Sequence, residues 1–287
     1  MRVPARPPQR FAVASHPQIG EARKLAGVIA DHLRRAGLQA DHGSLQDESL
    51  RHKVQSDQVD MLIALGGDGT MLRAGHLCAG HVPILGINLG RFGFLTEVRR
   101  DQWEPVLGRV CAGEFWLEQR MMLRADLRRG GQDVGSWNVL NECLVGRGET
   151  VRPVQLIAEI DGRTLTTYVA DGLIAATATG STAYALAAGG PILPPELRNI
   201  LLVPVAPHLS VDRAIVLHEG STVSITVRTN HQAILSADGG PPVRLEDGDR
   251  VEARAAEVGA EFARLQDPGY FYRNLTARMN QNPAAEA

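Results

Sequence analysis

Five consecutive residues, Gly66-Gly67-Asp68-Gly69-Thr70, place one carboxylate and one hydroxyl among three glycines. They follow the largely apolar segment Val59–Leu65, which predicts a buried strand, and precede residues 71–78, which predict a helix. Glycines at such a turn let a phosphate approach the backbone, and the helix start presents N–H groups to that anion. Because the carboxylate of Asp68 repels phosphate, its predicted use is to accept a proton or to bind a metal ion indirectly. The plainer alternative is that Asp68 or Thr70 only caps the helix.

A second carboxylate, that of Glu142, follows the amide of Asn141 inside the largely apolar segment Val139–Val145. Neighbouring residues of a strand face opposite sides of the sheet. Both side chains can therefore reach one pocket only if the strand bends or ends at this point. The plainer alternative is that Glu142 is a strand residue that faces solvent.

The segment Thr179–Tyr184 combines small polar residues with a predicted helix start. Thr179 or Ser181 would cap that helix, and its first N–H groups would be available to a phosphate or a nucleotide. The plainer alternative is an ordinary capped helix. The ring of Tyr184 is then either part of the core or a surface that contacts a ligand.

The elements that must position the first motif alternate between strand and helix. Residues 10–16 predict a strand, and Glu21–Ala36 has the spacing of a helix with one apolar face. The strand before the glycine turn, the helix after it and the strand Val82–Asn88 complete a β-α-β alternation. This order predicts an α/β domain over residues 1–118 with a parallel, Rossmann-like sheet and ligand loops at the carboxyl ends of its strands.

The texture of the sequence changes near residue 118. Beyond it, short β-type segments alternate with turn signals, as in the strictly alternating segment Thr222–Val227. This pattern predicts an all-β second domain over residues 119–265, built from two packed sheets and interrupted by a short helix at Thr182–Ala188. The last segment, residues 266–287, is predicted to pack back on the first domain.

Composition and charge disfavour several classes of function. A net charge of −2 argues against a protein that coats nucleic acid. The longest apolar run, Ile200–Ala206, is too short to span a bilayer, so no membrane partner is predicted. Neither lysine, Lys24 or Lys53, lies in the Gly-Lys-Ser/Thr context of a Walker A loop.

The three cysteines, Cys78, Cys111 and Cys143, are widely spaced and form neither a CxxC pair nor a zinc pattern. Each lies in apolar surroundings, which predicts buried free thiols and a reducing compartment. The segment Met1–Arg10 lacks the apolar core of a secretory signal. These features predict a cytoplasmic protein.

Several segments, taken in order, resemble the NAD kinase family in its bacterial form. They are Gly66-Gly67-Asp68-Gly69-Thr70, then Gly86–Glu97, Leu140-Asn141-Glu142, and Asp171-Gly172 leading into Thr179–Pro191. The resemblance runs from about residue 10 to about residue 265. Lipid kinases share the first motif, and phosphofructokinases share it in looser form. The Asn-Glu pair and the Thr-Gly-Ser-Thr-Ala-Tyr run are more specific.

The resemblance implies an activity. The γ-phosphoryl group of ATP, with Mg²⁺ or another divalent cation, would be transferred to the 2′-hydroxyl of the adenosine ribose of NAD to give NADP. Inorganic polyphosphate stays open as a donor, and a homodimer or homotetramer is implied. No metal site made of protein side chains alone is predicted, because the metal arrives with the nucleotide. A lipid kinase of the same superfamily and a non-catalytic NAD-binding regulator are the alternatives.

The resemblance also implies roles for individual residues. Asp68 is the general base. The phosphate-binding residues are Gly66, Gly67, Gly69 and Thr70. The NAD-binding residues are Asp68, Gly69, Arg91, Phe94, Asn141, Glu142, Asp171, Thr179, Thr182, Ala183 and Tyr184, with Asp238 as a weaker candidate.

Four of these assignments have alternatives in the sequence alone. The ring of Phe94 would stack on adenine, with Phe92 as the competing aromatic, which would pack inside instead. Arg91 is either a phosphate contact or a solvated charge. Asp171 either reaches the nicotinamide end of NAD or makes a turn. Asp238, which precedes Gly239, reads by itself as a hairpin turn.

Overall fold

The computed structural model describes residues 6–90, 93–208 and 211–279, and the chain divides into two compact units. The first unit comprises Met1–Gln119 and Gly259–Ala287, and the second comprises Arg120–Val258. Within the described ranges, no helix is both long enough and apolar enough to cross a membrane.

The first unit begins with alternating strands and helices. These are β1 (Arg10–Ser15), α1 (Gly20–Arg35), β2 (Gln39–Ser44), α2 (Glu48–Gln55), β3 (Met61–Leu65), α3 (Asp68–Cys78), β4 (Ile84–Asn88), β5 (Val98–Arg99), α4 (Trp103–Cys111) and β6 (Trp116–Arg120). All five residues of β3 and of β4 are buried, as continuous apolar strands of a covered parallel sheet should be. On α1, the buried residues recur at helical spacing, so one face of the helix packs on the sheet.

The second unit consists mainly of antiparallel strands. They are β7 (Leu123–Arg129), β8 (Gln132–Val139), β9 (Glu142–Arg147), β10 (Val154–Ile160), β11 (Arg163–Ala170), β12 (Gly172–Ala176), β13 (Asn199–Val205), β14 (Ile215–His218), β15 (Val223–Arg228), β16 (Ala233–Ala237), β17 (Val243–Leu245) and β18 (Arg250–Ala255). They form two six-stranded sheets, in the orders β11-β10-β15-β18-β7-β8 and β14-β13-β12-β9-β16-β17. Buried side chains from both sheets make one continuous core. The predicted fold of two packed sheets is therefore confirmed.

A short helical segment interrupts the second unit between β12 and β13. It consists of a 3-10 turn, Gly180–Thr182, followed by α5 (Tyr184–Ala187). No side chain caps α5, so the expectation that Thr179 or Ser181 would cap this helix is wrong. The backbone of Ala183, with ψ at −130°, separates the two pieces and leaves neither hydroxyl in a capping position.

The chain returns to the first unit with β19 (Ala260–Arg264) and α6 (Tyr270–Met279). The sheet of this unit has the order β2-β1-β3-β4-β19-β6, with β5 paired to β4. The pairings among β1, β2, β3, β4, β5 and β19 are parallel, which confirms the predicted Rossmann-like sheet.

The strand β19 corrects the sequence analysis, which assigned residues up to 265 to the second domain. Its residue Phe262 pairs with Ile84 of β4, inside the sheet of the first unit. Most of β19 is buried, so it is an interior strand of that sheet. Apolar character predicts that a strand is buried but does not say which sheet receives it, and this is why the sequence misplaced it.

The C-terminal helix α6 lies in the same unit. Its first two residues, Tyr270 and Phe271, are 1% and 4% exposed. The sequence analysis placed residues 266–287 against the first domain, and the part of that segment after Met279 lies outside the described residues.

Candidate active site

The glycine motif lies where β3 ends and α3 begins. Gly67 is the N-cap of α3, and no side chain caps the helix. The N–H groups of Thr70 and Met71 donate to the carbonyl oxygen of Gly67, at 2.9 and 3.1 Å. The alternative that Asp68 or Thr70 serves only as a helix cap is therefore wrong. Thr70 is buried, Asp68 is half-buried and Gly69 is exposed.

The carboxylate of Asp68 is held by the loop after β4. Its Oδ2 accepts from the backbone N–H of Phe94 at 2.8 Å, and its Oδ1 accepts from that of Leu95 at 3.1 Å. A Cβ atom added at Gly93 would overlap the carboxyl group, so the loop needs glycine there to close around Asp68. Each oxygen keeps acceptor capacity beyond these bonds. The arrangement can orient a carboxylate and still accept a proton from a substrate hydroxyl.

The ring of Phe94 is half-buried and faces the ring of Phe271, with ring centroids 6.3 Å apart and planes tilted by 47°. Phe94 thus lies in the loop whose backbone N–H groups bind the carboxylate of Asp68. Arg91, the other candidate of this loop, and Phe92 lie outside the described residues.

Two basic residues near the glycine turn were not singled out from the sequence. The backbone N–H of His16, which follows β1, donates to the carbonyl oxygen of Leu65, the last residue before the turn, at 3.3 Å. Partial burial and then the charge of Arg73 on α3 lower the pKa of His16. The signal for His16 was its position at the carboxyl end of β1, the edge where parallel sheets bind ligands.

In the second unit, Asn141 and Glu142 lie where one strand stops and the next begins. β8 ends at Val139 and β9 begins at Glu142. The strand predicted over 139–145 is therefore broken, which removes the requirement that the two side chains face opposite sides.

The carboxylate of Asp238 binds the backbone at this break between β8 and β9. Its Oδ2 accepts from the N–H of Leu140 at 2.7 Å, and its Oδ1 accepts from those of Asn141 and Glu142 at 2.7 and 3.0 Å. Asp238 itself has a left-handed φ of 48° between β16 and β17. It is thus more than the hairpin turn that the sequence indicates, because its side chain fixes the backbone of the Asn-Glu pair.

Glu142 is only 8% exposed, so the alternative of a solvent-facing strand residue is wrong. The backbone N–H of Tyr184 donates to the carboxyl group, whereas Oε2 has no hydrogen-bond partner among the described residues. Burial, and next the negative charge of Asp238, raise the pKa of Glu142 to about 7. A buried carboxyl oxygen without a donor is unfavourable and is suited to the hydroxyl of a ligand.

The segment before α5 docks directly on the Asn-Glu break. The hydroxyl of Thr177 donates to the carbonyl oxygen of Leu140 at 2.6 Å, and its N–H donates to that of Asn141 at 2.9 Å. A Cβ atom at Gly180 would overlap the backbone of Asn141. Sequence reasoning assigned no role to Thr177 or Gly180, although the glycine between two hydroxyl residues was a signal of close approach.

The other candidates of this segment differ in exposure. Thr179 is buried, and its hydroxyl accepts from the Nη1 group of Arg120 at 3.1 Å. The hydroxyl of Thr182 donates to the carbonyl oxygen of Thr179 at 3.2 Å, and Ala183 is half-buried. Tyr184 is 44% exposed. The alternative that Tyr184 is a core aromatic is therefore wrong.

Asp171 lies between β11 and β12 and makes both backbone and side-chain contacts. Its N–H donates to the carbonyl oxygen of Val205 at 3.0 Å, and its Oδ1 lies 2.9 Å from Nε of Arg147. Both side chains of this ion pair are partly exposed.

The described residues contain no group of three or more histidine, cysteine, aspartate or glutamate side chains that could hold a metal ion by themselves. Two of the candidate acidic residues, Asp68 and Asp238, instead bind backbone N–H groups.

Comparisons with known proteins identify the family. The model for the ATP-NAD kinase N-terminal domain matches residues 22–115, and that for the ATP-NAD kinase C-terminal domain matches residues 140–265. An NAD kinase of Chloroflexus aurantiacus is 40% identical over 275 residues, which are 96% of this chain and 99% of the relative. One of Heliobacterium modesticaldum is 42% identical over 226 residues, which are 78% and 80% of the two chains. The chain therefore belongs to the ATP-NAD kinase family.

Solved structures agree with this result. A yeast NADH kinase complexed with NADH has a TM-score of 0.84 at 24% identity. The alignment covers 97% of this chain and 89% of the yeast chain, which shows the shared fold. An NAD kinase from Archaeoglobus fulgidus in complex with ATP has a TM-score of 0.76 at 26% identity, with 93% and 98% covered. The chain is thus a phosphotransferase, an ATP-dependent NAD kinase. The lipid kinase and the non-catalytic regulator find no support among these relatives.

Proposed function

We propose that Asp68 is the general base of this kinase. Its carboxylate accepts the proton of the 2′-hydroxyl on the adenosine ribose of NAD while that oxygen bonds to the γ-phosphorus of ATP. The bond from the γ-phosphorus to the β,γ-bridging oxygen breaks, so that NADP and ADP leave. The observation that carries the proposal is the carboxylate held by the N–H groups of Phe94 and Leu95, beside the glycine turn. A ribose hydroxyl is a poor nucleophile, and a positioned base contributes about 10²- to 10⁴-fold in rate.

The glycine turn binds the phosphates of the donor in this proposal. Its phosphate-binding residues are Gly66, Gly67, Gly69 and Thr70. The N-terminus of α3, an eleven-residue helix, supplies the partial positive charge that favours an anion. Mg²⁺ or another divalent cation enters bound to the ATP phosphates and neutralises charge that develops on them, so it belongs to the substrate.

The NAD-binding residues in this proposal are those that the family resemblance implies. They are Asp68, Gly69, Arg91, Phe94, Asn141, Glu142, Asp171, Thr179, Thr182, Ala183 and Tyr184. The unpartnered Oε2 of Glu142 supports its role as the acceptor of a ribose hydroxyl. The exposed ring of Tyr184 is available to a nucleotide. Ala183 is half-buried, and a larger side chain there would occupy the proposed pocket.

The cellular setting and assembly are also proposals. The three cysteines are free thiols, which supports a reducing, cytoplasmic location. A homodimer or homotetramer is proposed from the family. Inorganic polyphosphate is proposed as a second donor, because it presents the same phosphates to the glycine turn.

The experiment that tests the base is an assay of NADP formation from ATP, Mg²⁺ and NAD with the wild type and with Asp68→Asn. We expect turnover to fall at least about 100-fold in the variant. The matched control is Asp60→Asn, because Asp60 also accepts two backbone N–H groups in the first unit, those of Gln9 and Arg10. The control should keep its turnover within about twofold. Retention of more than about a tenth of the wild-type rate by Asp68→Asn would overturn the assignment of the base.

A further inference from the structure

Arg264, at the end of β19, is a fully buried cation that the proposed mechanism does not use. Its Nε and Nη2 groups donate to Oε1 of Glu118 at 3.2 and 3.0 Å. Its Nη1 group lies 3.4 Å from Oε2 of Glu97. Both carboxylates are themselves buried, at 4% and 7% exposure. Two acids thus compensate one guanidinium in the interior of the first unit.

One bond of Arg264 leaves this ion cluster and reaches the loop of the candidate site. Its Nη1 group donates to the carbonyl oxygen of Leu95 at 3.1 Å. The N–H group of the same residue donates to Oδ1 of Asp68 at 3.1 Å. Leu95 is therefore held from both sides, by the candidate base at its N–H and by the buried guanidinium at its carbonyl.

The cluster also fixes the chain that follows β19. Oε1 of Glu97 accepts from the N–H groups of Leu265 and Gln266, at 3.0 and 3.1 Å. The hydroxyl of Tyr270 donates to Oε2 of Glu118 at 2.7 Å. The next residue of α6 is Phe271, whose ring faces Phe94. The base, its loop and the start of α6 are thus joined through one set of hydrogen bonds.

Stability alone is a weak reason for such a cluster. Burial by itself would lower the pKa of Arg264, whereas Glu118, Tyr270 and Glu97 raise it above its ordinary value, so the guanidinium stays charged. Buried ion pairs often contribute no more stability than well-packed apolar residues of the same volume. Their hydrogen bonds do have fixed directions, and a planar guanidinium fork transmits those directions to its partners.

We propose that Arg264 is a positioning residue for phosphoryl transfer, which fixes the backbone of Leu95 and thereby the orientation of the Asp68 carboxylate. The inference rests on the proposed role of Asp68 as the base. The guanidinium exposes no surface that a substrate could reach, so it acts only through the loop. A displacement of about 1 Å at a catalytic group can reduce turnover by about 100-fold, so a remote residue of this kind can matter to the rate.

Three variants test the inference. Arg264→Lys keeps the positive charge but loses the fork, and we expect kcat to fall about 10- to 100-fold with a smaller change in KM for ATP. Tyr270→Phe keeps the ring and removes one bond to Glu118, and we expect a fall of about two- to fivefold. The control is Arg129→Lys in the second unit, whose fork binds the buried Asp249 at 2.9 and 2.7 Å. The control should lower thermal stability while kcat is unchanged.

Two readouts separate positioning from a merely structural role. In the Asp68→Asn background, Arg264→Lys should cause little further loss of kcat, because the residue acts through Asp68. Amide hydrogen exchange at Phe94 and Leu95, followed by NMR in the absence of substrates, should be faster in Arg264→Lys and in Tyr270→Phe than in the wild type. It should be unchanged in Arg129→Lys.

Each outcome decides. Any one of three results overturns the inference. They are an unchanged kcat in folded Arg264→Lys, a loss of kcat from Arg264→Lys in the Asp68→Asn background as large as in the wild type, and unchanged hydrogen exchange at Leu95. If Arg264→Lys does not fold, Tyr270→Phe decides, and an unchanged kcat in that variant counts against the proposal. Retention of turnover by Asp68→Asn would contradict the proposed base instead, and the exchange data would still test whether Arg264 fixes the loop.

Discussion

The two carboxylates that stand out in this molecule, Asp68 and Glu142, are supported in opposite ways. Both oxygens of Asp68 accept backbone N–H groups, and the side chain is half-buried. Glu142 is buried, one of its oxygens has no partner among the described residues, and its pKa is raised to about 7. The protein therefore orients Asp68 through its own backbone, whereas one oxygen of Glu142 is left without a partner among the described residues.

This difference determines which measurement responds to a change. Substitutions that disturb the support of Asp68 should act on turnover, because the proposed base must accept a proton while the phosphoryl group moves. Substitutions that disturb the support of Glu142 should act on stability and on NAD binding, because they change a buried group and the backbone that carries it.

The largest expected effect comes from Gly93→Ala. The new methyl group would overlap the carboxyl group of Asp68, so the side chain or the loop must move. We expect kcat for NADP formation to fall about 100-fold. The free energy of unfolding should change by about 1 kcal/mol or less, since Asp68 is partly exposed and can move aside.

Gly90→Ala is the matched control for this change, because a Cβ atom at Gly90 would meet nothing within 4 Å. Its kcat should stay within about twofold of the wild type. Equal losses in the two variants would mean that the loop as a whole, and not the position of Asp68, sets turnover.

An intermediate effect is expected from Asp238→Asn, which probes the other carboxylate. The amide offers one acceptor oxygen where the carboxylate now serves three N–H groups, those of Leu140, Asn141 and Glu142. We expect a loss of about 1–3 kcal/mol in the free energy of unfolding. We also expect KM for NAD to rise more than kcat falls. Urea unfolding and steady-state kinetics measure the two.

Asp161→Asn serves as its control in the same unit, since Asp161 accepts a single N–H group, that of Thr222, at 2.8 Å. It should change stability by about 1 kcal/mol or less and leave KM for NAD unchanged. A loss of kcat without a change in KM for Asp238→Asn would remove the contrast between the two carboxylates.

The remaining expected effect, which appears only when the pH is varied, is a pH dependence of stability due to Glu142. Its pKa rises from 4.5 to about 7 on folding, so between these values the native state holds a proton that the unfolded chain releases. The stabilisation that this bound proton gives to the native state is fully present below about pH 4.5. It is lost as the pH rises through about 7, which lowers the free energy of unfolding by at most about 3 kcal/mol. Urea unfolding of the wild type and of Glu142→Gln across this range measures it.

The Glu142→Gln variant should show a flatter dependence, and it should be more stable than the wild type near neutral pH because no buried charge forms. Parallel curves for the two proteins would show that Glu142 does not titrate as stated. Weaker NAD binding by the same variant would indicate that the ligand uses the carboxylate.

Much of the fold was predictable because its signals are local. The strands β3 and β4 are continuous apolar segments, and the alternation of strand and helix around them indicates a parallel sheet. β19 was assigned to the wrong domain, because its burial reveals nothing about its neighbours. Its neighbours β4, through the pairing of Phe262 with Ile84, and β6 show that it lies inside the first sheet.

The residues of the candidate site were likewise predictable from the sequence only in part. Asp68 and the Asn-Glu pair stand out from their unusual surroundings in the sequence. The roles of Asp238 and Arg264 could not be predicted, because their partners lie about a hundred residues or more away along the chain. Local patterns carry no information about such contacts.

By itself, the sequence determined the residue types that chemistry needs, the turn that presents Asp68 and the two kinds of domain. These follow from short-range spacing of apolar residues, glycines and polar groups. The tertiary structure alone decided that Asp68 accepts hydrogen bonds from the Phe94–Leu95 backbone, that Glu142 keeps one oxygen without a partner among the described residues, and that Arg264 binds the carbonyl oxygen of Leu95. Such contacts depend on which distant backbone groups meet in the folded chain, and only packing brings them together.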